Sequence, residues 1–426
     1  MVIAYRAGTV IKDDIELEAY LASLLRLENV GLLLGAGASC SAGGRVMRQL
    51  WTDFLTTSPS EADTLLAQGF ITQPQRNLPL IATAPAPAGA VPPLPPLPSE
   101  LPNIEELVDS LQIAIHELRR LNSADLARAL VVRASLFRAV LRAATLNTAW
   151  WQSSGEAELA DGLATHRLVL QKLTSARQPG QSAPWVFTTN YDLAVEWAAE
   201  TIDMQVINGF LGVHTRRFSP QSFDLGFRNT QARGEARFGV YNIYLAKLHG
   251  SLTWKEVDRN LYEFSAAQAW PEISDFINGG TNELNYLVLP QAAKYLQTVG
   301  YVLGELLRRF AEFMARPQTA LIIAGYGFGD EHINRLLRSA LLNPTLQIVI
   351  YLPEFTGDPA GPNLPPTVRR LLALQNPRVT VVGGGQDAYF SKLAEHLPDP
   401  TIYDEGFADL ERKLRPRDPD PVDGVP

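Results

Sequence analysis

Cysteine is all but missing: Cys40 is the only one in 426 residues. A single thiol closes no intramolecular disulfide and builds no multi-cysteine zinc site. The six histidines, at positions 116, 166, 214, 249, 332 and 396, show no paired metal-ligand spacing. No apolar run approaches the roughly 18 residues that a membrane-spanning helix needs, and Met1 to Arg6 lacks the apolar stretch of a secretory leader. Basic residues are in deficit, 37 Lys and Arg against 45 Asp and Glu, for a net charge of −8. That balance argues against a surface dedicated to nucleic acid. The absences predict a cytoplasmic protein with no structural metal, no direct nucleic-acid contact and no membrane contact.

What is present suits a well-packed α/β protein. Hydrophobic residues make up 46% and charged residues 19% of the chain, and the length allows two or more domains of about 100–200 residues. Short apolar runs read as buried parallel strands at 30–34, 184–187, 205–207, 243–248, 286–289, 319–324, 346–352 and 379–382. Segments with helical spacing separate them, at 15–27 (with Asp13 and Asp14 as caps), 46–55, 191–201, 296–315, 331–341 and 367–374. The alternation predicts a Rossmann-like parallel sheet with helices on both faces. Between 59 and 179 the pattern changes. Residues 82–98 are dense in Pro and Ala and predict an extended excursion, followed by long amphipathic helices at 104–121, 124–151 and 156–173. We therefore expect a core of 1–58 and 180–400, an inserted helical module over 59–179, and a fraying tail at 401–426. Residues 216–237 read as a long surface loop.

Four segments sit at or just past the ends of those strands, where loops of an open parallel sheet converge on ligands. The first is Gly35, Ala36, Gly37, Ala38 and Ser39. Glycines there permit the close approach of backbone N–H groups to a pyrophosphate, although tight strand-to-helix turns use glycine anyway, so a purely structural turn is an equal reading. The second is Thr188, Thr189, Asn190, Tyr191 and Asp192. The Asn190 carboxamide can both donate and accept hydrogen bonds, which suits a ribose hydroxyl or a water. It could also be a turn residue, and Asp192 a helix cap. The third is Lys247, Leu248, His249, Gly250 and Ser251; a lone histidine is often a satisfied core or surface residue, but His249 ends a strand at this edge and can act as a general base near neutral pH. The fourth is Gly325, Tyr326, Gly327, Phe328, Gly329 and Asp330, suited to a backbone contact with an adenosine ribose, although entry into the following helix alone could also explain the glycines. Cys40 reads as a packing residue, and His332 as part of a helix start.

Taken in order, these segments resemble the sirtuin superfamily, specifically its bacterial sirtuin-like branch in anti-phage systems that deplete NAD. Gly35 to Ser39 match the phosphate loop, Thr188 to Asp192 the Thr-Gln-Asn-hydrophobic-Asp motif, Leu248 to Ser251 the catalytic-histidine motif, and Gly325 to Gly327 the ribose-binding turn. The chain departs from the deacylating members: it lacks the cysteines of their zinc module, and 41–46 do not preserve the Gly-Ile-Pro-Asp-Phe-Arg segment. The resemblance implies an NAD glycohydrolase that uses NAD as substrate and needs no metal. Asn190, His249 and Asp192 would be catalytic; the remaining motif residues, Gly35, Ala36, Gly37, Ala38, Ser39, Thr188, Thr189, Tyr191, Gly250, Gly325, Tyr326 and Gly327, would hold the dinucleotide. An NAD-dependent protein deacylase and a non-catalytic NAD or ADP-ribose sensor are the alternatives. The branch also implies control by self-assembly into a homo-oligomer or by a partner such as a HerA-like ATPase, an Argonaute-type protein or another phage sensor. The long helices between 104 and 151 are candidates for an oligomer contact.

Overall fold

The computed structural model describes residues 2–11, 13–78, 104–152, 162–178, 180–228, 230–231, 233, 241–282, 284, 286 and 298–399. The expected Pro/Ala-rich excursion, the C-terminal tail and most of the expected strand at 286–289 lie outside them.

Its strands, in chain order, are β1 (Ile3–Arg6), β2 (Thr9–Ile11), β3 (Asn29–Leu34), β4 (Trp185–Thr188), β5 (Gln205–Ile207), β6 (Phe210–Leu211), β7 (Arg216–Phe218), β8 (Asn242–Lys247), β9 (Trp254–Val257), β10 (Asn260–Glu263), β11 (Thr319–Ala324), β12 (Leu346–Tyr351) and β13 (Val379–Gly383). Nine of them form one sheet, ordered β2-β1-β13-β12-β11-β3-β4-β8-β5. From β13 to β5 every pairing is parallel. The hairpin β1–β2 closes one edge antiparallel. This is the Rossmann-like α/β architecture that the strand–helix alternation predicts.

The strands sort their own side chains by a period of two. In β11, Ala320, Ile322 and Ala324 join one buried cluster, while Leu321 and Ile323 join the other. In β4, Val186 faces the first cluster and Trp185 and Phe187 the second. On the second face Phe187 packs against Phe310 and Phe313, at ring separations of 4.7 and 5.3 Å, from the helix Thr298–Ala315. Gly31 of β3 makes room there, since a Cβ on it would lie 2.7 Å from the Phe313 ring.

The first face carries the helix Asp14–Leu25, capped by Asp13 accepting from the Ile15 amide, and the helical block between β3 and β4. Its helix Leu126–Ala144 buries Val132, Leu136, Val140 and Leu141, in the same cluster as sheet residues Leu32, Val186 and Ile322. The block thus shares one continuous core with the sheet. A three-tryptophan contact ties it down: Trp150 and Trp151 meet Trp197 edge-on at 5.5 and 5.6 Å. The expected helix at 124–151 breaks near Leu146, whose φ is +55°, and resumes as a 3-10 turn over Thr148–Trp151.

The expected surface loop at 216–237 is not a loop throughout. Its start, β7, belongs to a four-stranded antiparallel sheet ordered β6-β7-β10-β9. Glu263 anchors this sheet, accepting from Asn208 Nδ2 at 2.9 and 3.0 Å and pairing with Arg216. These strands are two to four residues long, too short to print a legible alternation. No helix among the described residues is long and apolar enough to cross a membrane.

Candidate active site

Strand order reverses about β3: the chain moves outward through β4 and β8 on one side and later through β11 on the other. Crevices form at such a switch point, beyond the carboxyl ends of the strands. The register makes the convergence concrete. Ala324, Leu34, Thr188 and Lys247 are successive partners in one row across β11, β3, β4 and β8. The next residues, Gly325, Gly35, Thr189 and Leu248, leave the sheet at one level, so the four motifs share one edge.

The glycine turns pack on each other. A Cβ at Gly35 would lie 2.6 Å from the Gly325 carbonyl oxygen, and one at Gly325 would lie 2.2 Å from the Ala38 nitrogen. Gly325 also has φ +66°, a region that favours glycine. The amides of Gly35, Gly37 and Ala38 donate to the carbonyls of Ala324, Gly325 and Gly35, at 3.1, 2.9 and 2.9 Å. These glycines therefore serve loop-on-loop packing, and those three amides point at protein oxygens. A 3-10 helix, Ala36–Ala42, follows the turn in place of the expected helix start. Beyond Gly325, no described residue comes within 4 Å of a Cβ placed at Gly327 or Gly329.

Asn190 is fixed from the glycine side. Its Nδ2 donates to the Gly35 carbonyl at 3.0 Å and to Ser39 Oγ at 2.9 Å. A carbonyl can only accept, so this contact sets the amide orientation and turns Oδ1 the other way. The Asn190 amide donates to Thr188 Oγ1 at 3.0 Å, and Thr188 Oγ1 and the Thr189 amide both donate to the Leu34 carbonyl. Ser39 Oγ in turn donates to Asp192 Oδ2 at 2.7 Å. The other carboxylate oxygen, Oδ1, accepts from the amide of Ala194 at 3.0 Å, the first residue of the helix Ala194–Glu200, whose N-cap is Leu193. Asp192 is buried, with both oxygens engaged by protein donors, and it supports Asn190 through Ser39.

The β8 loop is bonded to the β4 loop, Leu248 donating to the Thr188 carbonyl at 2.8 Å and Leu252 to that of Tyr191 at 3.1 Å. Gly250, at φ +105°, makes the turn. His249 is half-buried, its ring 6.4 Å from that of Tyr191. Lys247 lies beneath the loops; its Nζ donates to the Asp192 carbonyl and, at 2.8 Å, to Glu196. Burial pushes the Glu196 carboxyl up against the pull of Lys247. Burial, helped by Asp192, also pushes the Cys40 thiol up to about 11, so it stays protonated at neutral pH and is a poor nucleophile.

One expectation changes at this edge, and one that holds gains a contact, since His332 does stand at the start of the helix Glu331–Ala340. The Tyr326 ring turns inward, 4% exposed and 4.8 Å from Phe328, so only its backbone lies at the turn. His332, read from sequence as part of a helix start, places Nε2 3.3 Å from Nε2 of His249. The signal was present: Gly329, Asp330, Glu331 and His332 follow a strand end on the same sheet edge as His249. Lys247 and Glu196 were likewise missed, because a pairing 51 positions apart leaves no local pattern. Two surface cavities of about 450 and 320 Å³ lie elsewhere, lined respectively by residues such as Met314 and Leu336 and by Arg177 and Pro184. Neither includes a residue of the four motifs. Among the described residues no group of three or more His, Cys, Asp or Glu side chains is placed to hold a metal ion.

Residues 184–364 match the family model of the SIR2-like domain, a family whose members typically use NAD. The matched stretch contains Asn190, Asp192, His249, the 325–330 turn and His332, and begins after the Gly35 turn. No curated protein matches the chain at a significant level.

Proposed function

We propose that this cleft hydrolyses NAD at the nicotinamide–ribose bond, giving ADP-ribose and nicotinamide. The observation that carries the reading is the held carboxamide of Asn190, locked by Gly35 and Ser39, on a loop bonded to the one that presents His249. Departure of nicotinamide takes the C1′–N1 electron pair and leaves an oxocarbenium-like ribose. Asn190 Oδ1, turned away from its anchors, accepts from a ribose hydroxyl or from the attacking water. His249 takes the proton that this water loses as its oxygen bonds to C1′. Asp192 acts at one remove, through Ser39. Gly327 and Gly329 leave open space for the adenosine-side ribose.

On this reading the protein is an anti-phage effector, held inactive until self-assembly or a partner triggers it. Purified protein, with and without the product of its neighbouring gene, is incubated with NAD alone and with NAD plus an acyl-lysine peptide, and nicotinamide is followed by chromatography. Release from NAD alone is the expected result. Release only with the peptide would identify a deacylase, and NAD binding without release in either assembly state would identify a sensor.

A further inference from the structure

The two imidazoles at this sheet edge come from different strands' loops. His249 ends the β8 turn, and His332 stands in the first turn of the helix Glu331–Ala340, yet their Nε2 atoms are 3.3 Å apart with ring centroids at 5.3 Å. At that distance one Nε2 carries a hydrogen and the other accepts it. The position of His332 is built, not incidental. Phe328 is held at φ +57°, its carbonyl accepts from Asn334 Nδ2 at 2.8 Å, and the Asn334 amide donates to the Asp330 carbonyl at 2.9 Å. Asn334 is buried. These bonds fix where the helix starts, and so where its exposed second residue, His332, stands.

We infer that His332 is a proton-relaying, positioning residue for His249, an inference that rests on the hydrolase reading above. Hydrolysis of NAD consumes one water and releases one proton. The water oxygen bonds to C1′ as the C1′–N1 pair leaves with nicotinamide, and His249 takes the proton on the ring nitrogen nearer the ribose. It passes the hydrogen of its Nε2 to Nε2 of His332, which releases a proton from its own ring to solvent. Atoms and charge balance, and both rings are left in the opposite tautomer; before the next turnover His249 loses its new ring hydrogen to solvent, while His332 returns the shared hydrogen to Nε2 of His249 and takes up another from solvent.

The test compares wild type with His332→Ala and His332→Gln in the NAD assay, with and without added imidazole. His332 is exposed, so both variants should keep the thermal midpoint of wild type. We expect kcat to fall about ten- to a hundredfold in both, within the span of one acid–base group, with KM unchanged. Free imidazole should restore much of the loss in the alanine variant. Unchanged kcat in both variants overturns the relay, as does full activity of the glutamine variant, which would leave His332 as a mere spacer. If wild type turns over no NAD in any arm, the hydrolase reading itself fails. Ring-proton titration of His249 by NMR separates the cases without turnover: two coupled steps in wild type and one in His332→Ala show the shared proton, and identical titration in both proteins overturns it.

Discussion

Ser39 donates to Asp192 at 2.7 Å while accepting from Asn190 at 2.9 Å. One hydroxyl thus joins a buried carboxylate to the carboxamide at the cleft. Ser39→Ala should remove one of the two anchors of Asn190 and leave the carboxylate short of a donor, a loss of about 1–3 kcal/mol. We expect nicotinamide release to fall at least about tenfold, equivalent to about 1.4 kcal/mol at the transition state, with a lower midpoint in thermal unfolding. Wild-type turnover in a destabilised Ser39→Ala protein would show that Gly35 alone holds Asn190.

Lys247 and Glu196 form an ion pair with side chains 2% and 15% exposed. Removing one partner of such a pair leaves an uncompensated buried charge, typically a loss of about 3–5 kcal/mol. Lys247→Met should show that loss in urea unfolding. The double variant Lys247→Met, Glu196→Leu should regain most of the stability but not the activity, because the Asp192 carbonyl still lacks its donor. Equal loss in the double variant would contradict the electrostatic explanation.

Gly325 combines φ +66° with 2.2 Å of clearance to the Ala38 backbone nitrogen for any added Cβ. Gly325→Ala therefore pushes two loops apart and should cost more than about 2 kcal/mol. Gly327→Ala, with no described residue within 4 Å, should leave stability alone and weaken NAD binding if that space takes the ribose. Thermal midpoints and NAD titration of the two variants check this pair of outcomes.

His166 is buried against Phe390, ring to ring at 4.9 Å. Burial lowers its pKa to about 4, and Asp192 only partly opposes the shift. The folded protein therefore holds it neutral while the unfolded chain protonates it near the ordinary value of about 6.5. The unfolded state binds more protons, so stability is fully present above pH 6.5 and is lost as pH falls from there toward 4. The slope is at most about 1.4 kcal/mol per pH unit from this group. His166→Leu should flatten the melting temperature between pH 6.5 and 4.5; an unchanged slope would place the acid sensitivity elsewhere.

The sequence was most readable where apolar runs were long and buried on both sides. β11 at Thr319–Ala324 lies at its expected bounds, and β3, β4, β8, β12 and β13 lie within a residue of theirs. Short antiparallel strands such as β6 and β7 escaped, because two or three residues carry no period. The hairpin β1–β2 escaped for the same reason, although Ala7 and Gly8, at φ +49° and +85°, form its turn. At the site, residue identity and strand-end position were enough to bring Asn190 and His249 to one edge. They could not show that Gly35 and Gly37 pack against Gly325, that Asp192 turns inward, or that His332 reaches across from another loop. Each of those depends on pairings between segments tens to hundreds of positions apart, which only the sheet register reveals.

The most direct test of the central claim is nicotinamide release from NAD by wild type, Asn190→Ala and His249→Ala, each shown to be folded by circular dichroism. The expected result is turnover by wild type and its loss by a factor of about 100 or more in both variants. Full turnover by either folded variant would contradict the assignment of the cleft.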